Sequence, residues 1–119
     1  MPAMATYHGS CHCGAVRFEI DADIATVMEC NCSHCGKNGW LLAQVPAERF
    51  RLLSGEDALA RYQFHKQRID HLFCTTCGIH PFSRPAGQVT LYMVNARCLD
   101  DYDLDGEAPE IRQFDGRSL

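Results

Sequence analysis

Gly9-Ser10-Cys11-His12-Cys13-Gly14 and, far downstream, Phe73-Cys74-Thr75-Thr76-Cys77-Gly78 each set two thiols one tight turn apart, with glycine at the edge of the turn. Between them lies a third cluster, Cys30-Asn31-Cys32-Ser33-His34-Cys35. Seven of the eight cysteines stand in these three knuckles. Short Cys-x-Cys and Cys-x-x-Cys steps aim two sulfurs at one ion, and thiolates bind Zn²⁺ tetrahedrally. The outer knuckles therefore make one closed site of Cys11, Cys13, Cys74 and Cys77, which ties the two halves of the chain together. Structural zinc supplies on the order of 10 kcal/mol of apparent folding free energy, comparable to the whole stability of a small domain.

Cys30, Cys32 and Cys35 form a trio with a fourth position left for water, substrate or another side chain. Three thiolates on Zn²⁺ leave a net charge of −1, a poor Lewis acid but a good match for a soft, sulfur-bearing ligand. A thiol bound there would be deprotonated near neutral pH, so the chemistry favours thiol reactions over hydrolysis. The competing reading is a second structural zinc, completed by a histidine or by Cys98.

The remaining composition narrows the field. A chain of 119 residues, 46% hydrophobic and 22% charged, suits one globular domain, here residues 1–119. A net charge of −4 and a pI near 5.8 argue against bulk binding to nucleic acid or anionic membrane. No apolar run reaches the roughly 20 residues of a membrane span, and Met1 to Ser10 does not read as a signal peptide. A cytoplasmic, reducing setting is expected, where such knuckles are metal sites rather than disulfides.

Period-two alternation predicts a mainly β fold of short strands. Val16, Phe18 and Ile20 alternate with polar residues, and Ala25–Glu29 leads into the second knuckle. Trp40–Val45 is an apolar run closed by Pro46, and Phe50 and Leu52 precede a Ser54-Gly55 turn. Leu59–Phe64 and Ile69–Phe73 read as strands joined around His65-Lys66-Gln67. Val89–Asn95 is a central strand covered on both faces, and Ile111–Phe114 a last edge strand. Helical signal is scarce beyond a turn at Cys98–Asp101. Cys11 and Cys13 occupy a hairpin tip whose flanking Gly9 and Gly14 permit the backbone angles required.

Among the histidines, His80 lies just past the third knuckle and is the candidate proton shuttle, with an ordinary pKa near ~6.5. His34 is expected to point to solvent, away from an ion bound by its neighbours. His12, His65 and His71 read as surface or strand residues, and Cys98 as a buried apolar thiol.

These motifs, with Asn95-Ala96-Arg97-Cys98-Leu99-Asp100 and Phe114-Asp115-Gly116-Arg117, resemble the glutathione-dependent formaldehyde-activating enzyme family, which includes centromere protein V-like domains. The resemblance spans nearly the whole chain. It implies an Mss4-like, or β-tent, fold, a structural zinc on Cys11, Cys13, Cys74 and Cys77, and a second zinc on Cys30, Cys32 and Cys35 where activity resides. It implies addition of a small-molecule thiol, glutathione in the named member, to formaldehyde or another small aldehyde. Such enzymes are classed as carbon–sulfur lyases. On this reading His80, Asn95 or a water supplies a proton to the nascent alkoxide, and Lys37, Arg68 and Arg97 are candidate partners for the carboxylates of glutathione. Two other classes remain open: a non-catalytic zinc-stapled binding module, and a thiol or metal sensor.

Overall fold

The computed structural model describes residues 4–118. It is built from ten short strands: β1 (Ala5–Ser10), β2 (Arg17–Ala22), β3 (Thr26–Cys30), β4 (Leu42–Pro46), β5 (Phe50–Ser54), β6 (Leu59–Tyr62), β7 (Ile69–Cys74), β8 (Phe82–Pro85), β9 (Leu91–Asn95) and β10 (Glu110–Phe114). Two short helices complete it, α1 (Ser33–Asn38) and α2 (Leu104–Glu107). The mainly β expectation holds, and the predicted strands fall within a few residues of their places.

The strands form a three-stranded sheet, β1-β2-β5, and a seven-stranded sheet, β10-β3-β4-β9-β8-β7-β6. Alternation on β2 turns Phe18 and Ile20 inward. There they meet Val27, Val45, Leu72, Phe82 and Val94 from the larger sheet in one core. Phe18 stacks on Phe50 at 5.5 Å between ring centroids and meets Phe82 edge-on at 5.7 Å, geometries that add to simple area burial. Gly9 lies opposite Phe18 in the β1–β2 register, and a Cβ there would fall inside the Phe18 ring. Its φ is not positive, so it serves close approach rather than the special backbone angle expected at the hairpin tip.

Several elements escaped the sequence reading. Strand β8 is short and ends at Pro85, and its partners on both sides decide it. The second knuckle runs into α1, whose N-cap is Cys32 itself. The turn expected at Cys98–Asp101 begins earlier, as a single helical turn at Ala96–Cys98 capped by the Asn95 side chain. The last strand, β10, is an edge strand as expected but pairs in parallel with β3.

The two faces of the large sheet carry different loads. Val27, Val45, Leu72, Phe82 and Val94 face the core. Met28, Leu42, Met93, Ser83 and His71, from five adjacent strands, line a cavity on the opposite face. So β9 has both faces covered, one by core and one by cavity wall. Among the described residues no helix is long and apolar enough to cross a membrane.

Candidate metal centres and adjoining cavity

The first knuckle is closed by the Cys11 N–H donating to the Val16 carbonyl at 3.1 Å and by Gly14 at φ +82°. The third is closed by the Gly78 N–H on the Cys74 carbonyl at 2.8 Å, with Gly78 left-handed at φ +80°. Folding brings the two together: the sulfurs of Cys11, Cys13, Cys74 and Cys77 all lie within 4.8 Å of one another. Cys11 and Cys13 are 3.6 Å apart, and Cys13 and Cys74 3.7 Å. Four thiolates at 2.3 Å from a tetrahedral zinc would stand about 3.8 Å apart, so the spacing fits the ion.

The electrostatics agree. Backbone N–H groups of Ile79 and Cys13 hold the Cys77 thiol down at about 6, and the Cys77 N–H holds Cys74 below its ordinary value. On Cys13 the Ala15 N–H acts downward, but desolvation and the crowd of neighbouring thiols win and raise it to about 11. Cys77 is ready to ionise at neutral pH, and Cys13 needs a cation beside it to do so.

The second centre uses a strand end and a helix start. Cys30 terminates β3, Cys32 caps α1, and Cys35 lies in its first turn, with the three sulfurs mutually within 4.8 Å. Desolvation pushes the Cys32 thiol up, but the Cys35 N–H donating to its sulfur at 3.3 Å, together with the Cys35 and Cys30 thiols and the His34 N–H, keeps it below its ordinary value. Burial pushes Cys35 up, and the indole N–H of Trp40, which packs against it, is buried with no hydrogen-bond partner among the described residues. Soft donors at this spacing fit zinc as well. Among the described residues no fourth donor joins the trio. Cys98 is not brought to it. That thiol is buried, pushed up to about 12 by burial, and points at the His80 carbonyl, as a neutral core cysteine should.

The C-terminal segment finishes this centre, which sequence reasoning did not foresee. Asn31 donates through Nδ2 to Asp115 Oδ1 at 3.0 Å and accepts the Arg117 N–H on Oδ1 at 2.9 Å. These bonds seat Gly116 so close that a Cβ on it would come within 2.5 Å of the Cys30 sulfur. The Phe114-Asp115-Gly116-Arg117 motif is thus the latch of the trio.

Cys30, Cys32, Cys35 and Gly116 all border the cavity, which holds about 300 Å³. The histidines around it fall differently from expectation. His34 does not point to solvent. Its ring is half-buried, 4.2 Å from that of His71 and 5.2 Å from that of His80, with Trp40, Tyr62 and Phe64 around them. His71, expected only as a strand or surface residue, is buried on β7 and lines the cavity. Its Nδ1 lies 3.4 Å from the hydroxyl of Ser83, its cross-strand partner. Burial, then the neighbouring His34 and His80, hold its pKa at about 4. His80 stands one ring back, against His34, Trp40 and Phe73, and is not on the cavity wall.

Asn95 is occupied structurally: its amide donates to the His80 carbonyl at 3.0 Å and its oxygen accepts the Arg97 N–H. Of the three cations proposed to meet carboxylates, Arg68 borders the cavity, whereas Lys37 and Arg97 are exposed elsewhere. Lys66, read from the sequence only as part of a turn, borders it too. A signal for Ser83 and His71 was present only in the β8–β7 register, which no single sequence displays.

The family model described as glutathione-dependent formaldehyde-activating enzyme matches residues 6–117. Among solved structures, a protein of Rhodobacter sphaeroides, determined as a structural genomics target, is similar at 30% identity with a TM-score of 0.79. The match covers 90% of this chain and 99% of that one.

Proposed function

Because the chain belongs to the glutathione-dependent formaldehyde-activating enzyme family, we propose that both sulfur clusters hold zinc and that the Cys30–Cys32–Cys35 centre joins a thiol to formaldehyde or another small aldehyde. The observation that carries this is an unsaturated sulfur trio bordering a cavity. Zinc at the trio would ionise a fourth, sulfur-bearing ligand. The cavity then holds thiol and aldehyde in reach of each other, and proximity supplies most of the gain.

The thiolate sulfur bonds to the carbonyl carbon, the C=O electron pair moves to oxygen, and the thiol's proton ends on that oxygen. The product is an S-hydroxymethyl adduct, and no oxidant is needed. The reverse direction is carbon–sulfur cleavage. His71, neutral at pH 7 and steadied by Ser83 on Nδ1, keeps one ring nitrogen to donate or receive that proton. His80, the shuttle expected from the sequence, takes the second place in the relay, behind His34 and held by Asn95 through its carbonyl. The Cys11–Cys13–Cys74–Cys77 cluster is architectural. Eight free thiols suit a reducing, cytoplasmic setting.

Metal analysis of purified protein should find about two zinc ions per chain, and Cys35→Ser about one, with the fold retained. Mixing glutathione and formaldehyde with the protein should speed adduct formation followed by NMR. A rate equal to the uncatalysed background for glutathione and for simple alkyl thiols alike, with both sites loaded, would refute the activity.

A further inference from the structure

The cavity beside the trio is walled by Met28, Leu42, Phe64, Ile69, Met93 and Phe114. At about 300 Å³ it reaches the size of a small-molecule pocket, far more than formaldehyde occupies. Its cationic wall residues are Lys66 and Arg68, both exposed on the loop between β6 and β7, and among the described residues neither has a carboxylate partner. The loop is pinned: His65 and Gln67 flank Lys66 with φ of 57° and 53°, and the Gln67 N–H donates to the Phe64 carbonyl at 2.9 Å. Glutathione is a poor fit to such a wall. Two peptide groups, an ammonium and two carboxylates would be desolvated against methionine, leucine and phenylalanine with few partners, which costs affinity at each unpaired group.

We infer that the thiol substrate of this chain is an apolar-bodied one carrying a single anionic group: sulfur at the Cys30–Cys32–Cys35 corner, hydrocarbon along the Met28–Leu42–Met93 floor, carboxylate at Lys66 and Arg68. This rests on the thiol reading above. It narrows the substrate from glutathione to a mercapto-acid with an aliphatic or aromatic body. Each buried methylene is worth about fourfold in affinity, so a five-carbon arm outweighs the exposed charge pairs, which contribute a few-fold together.

The test is calorimetric titration of the zinc-loaded protein with 6-mercaptohexanoate, 6-mercaptohexanol, heptanoate and glutathione, with methyl NMR to place each ligand. We expect 6-mercaptohexanoate to bind at least roughly tenfold tighter than glutathione, shifting the methyls of Met28, Leu42, Ile69 and Met93. A Lys66→Ala/Arg68→Ala double variant, altered only at exposed side chains, should weaken 6-mercaptohexanoate a few-fold and leave 6-mercaptohexanol unchanged. Glutathione binding as tightly as 6-mercaptohexanoate, or methyl shifts elsewhere, overturns the inference while leaving the thiol activity standing. Should heptanoate and 6-mercaptohexanoate bind equally in the cavity, the preference for an apolar acid is upheld and the sulfur-accepting corner is refuted.

Discussion

Acidification should destabilise this protein through His71, and the size of the effect follows from its surroundings. The ring is 6% exposed. Ser83 is its hydrogen-bonding neighbour, His34 from α1 and His80 lie beside or behind it, and the one carboxylate acting on it, Asp70, does not offset burial. Its pKa of about 4 lies below the ordinary 6.5. Above pH 6.5 both folded and unfolded chains carry a neutral ring, and stability is at its full value. Below that the unfolded chain takes up a proton that the folded one refuses, so stability falls until the folded ring titrates near pH 4. The loss from this one group is about 2 kcal/mol at pH 5 and approaches about 3 kcal/mol at pH 4. Urea unfolding of the wild type and of His71→Gln, each at pH 7 and pH 5 under saturating zinc, isolates it. Thiolate protonation and zinc release are common to both proteins, so the variant should lose about 2 kcal/mol less than the wild type over that interval. Equal losses would show that the ring is not held neutral by burial, and the proton-handling role assigned to it would fall as well.

Gly116→Val should press on the Cys30 sulfur and lower zinc occupancy from about two to about one per chain, while the melting temperature shifts little; mass spectrometry under native conditions reads both states. Gly9→Ala forces a methyl into the Phe18 ring and should cost about 1–3 kcal/mol in urea unfolding, with zinc content unchanged. Cys74→Ser, by contrast with Cys35→Ser, should abolish cooperative unfolding or lower stability by several kcal/mol, since Cys74 is buried in the main core as well as in the four-sulfur cluster. A well-folded Cys74→Ser protein would show that the four-sulfur site is not architectural.

How much of this was legible beforehand varies with the range of the interaction. The partition of sulfurs into a quartet and a trio could be read because ligand spacing is local, and two knuckles of matching form announce each other. Strands such as Val16–Ile20 and Trp40–Val45 could be read because burial on one face imposes period two. His34 was misjudged because the flank of a knuckle looks solvent-bound in one dimension, whereas β6 and β7 bring Tyr62, Phe64 and His71 against it. His71 and Ser83 were invisible for the same reason: strand register makes them neighbours, and register is a property of pairs. Strand β8 gave no signal of its own, having Pro81 before it, Pro85 at its end and little room for alternation. The parallel pairing of β10 with β3 depends on the Asn31–Asp115–Arg117 bonds, which join residues more than eighty positions apart.

The large sheet acts as a bulkhead. Side chains that keep the molecule together hang from one surface, and those that meet a guest hang from the other, one residue out of step along the same strands. Met28 and Met93 can be exchanged for other residues without touching Val27 or Val94, so guest preference can drift while the hull stays intact. A lineage carrying this frame is free to retain its sulfur corner and retailor the compartment beside it.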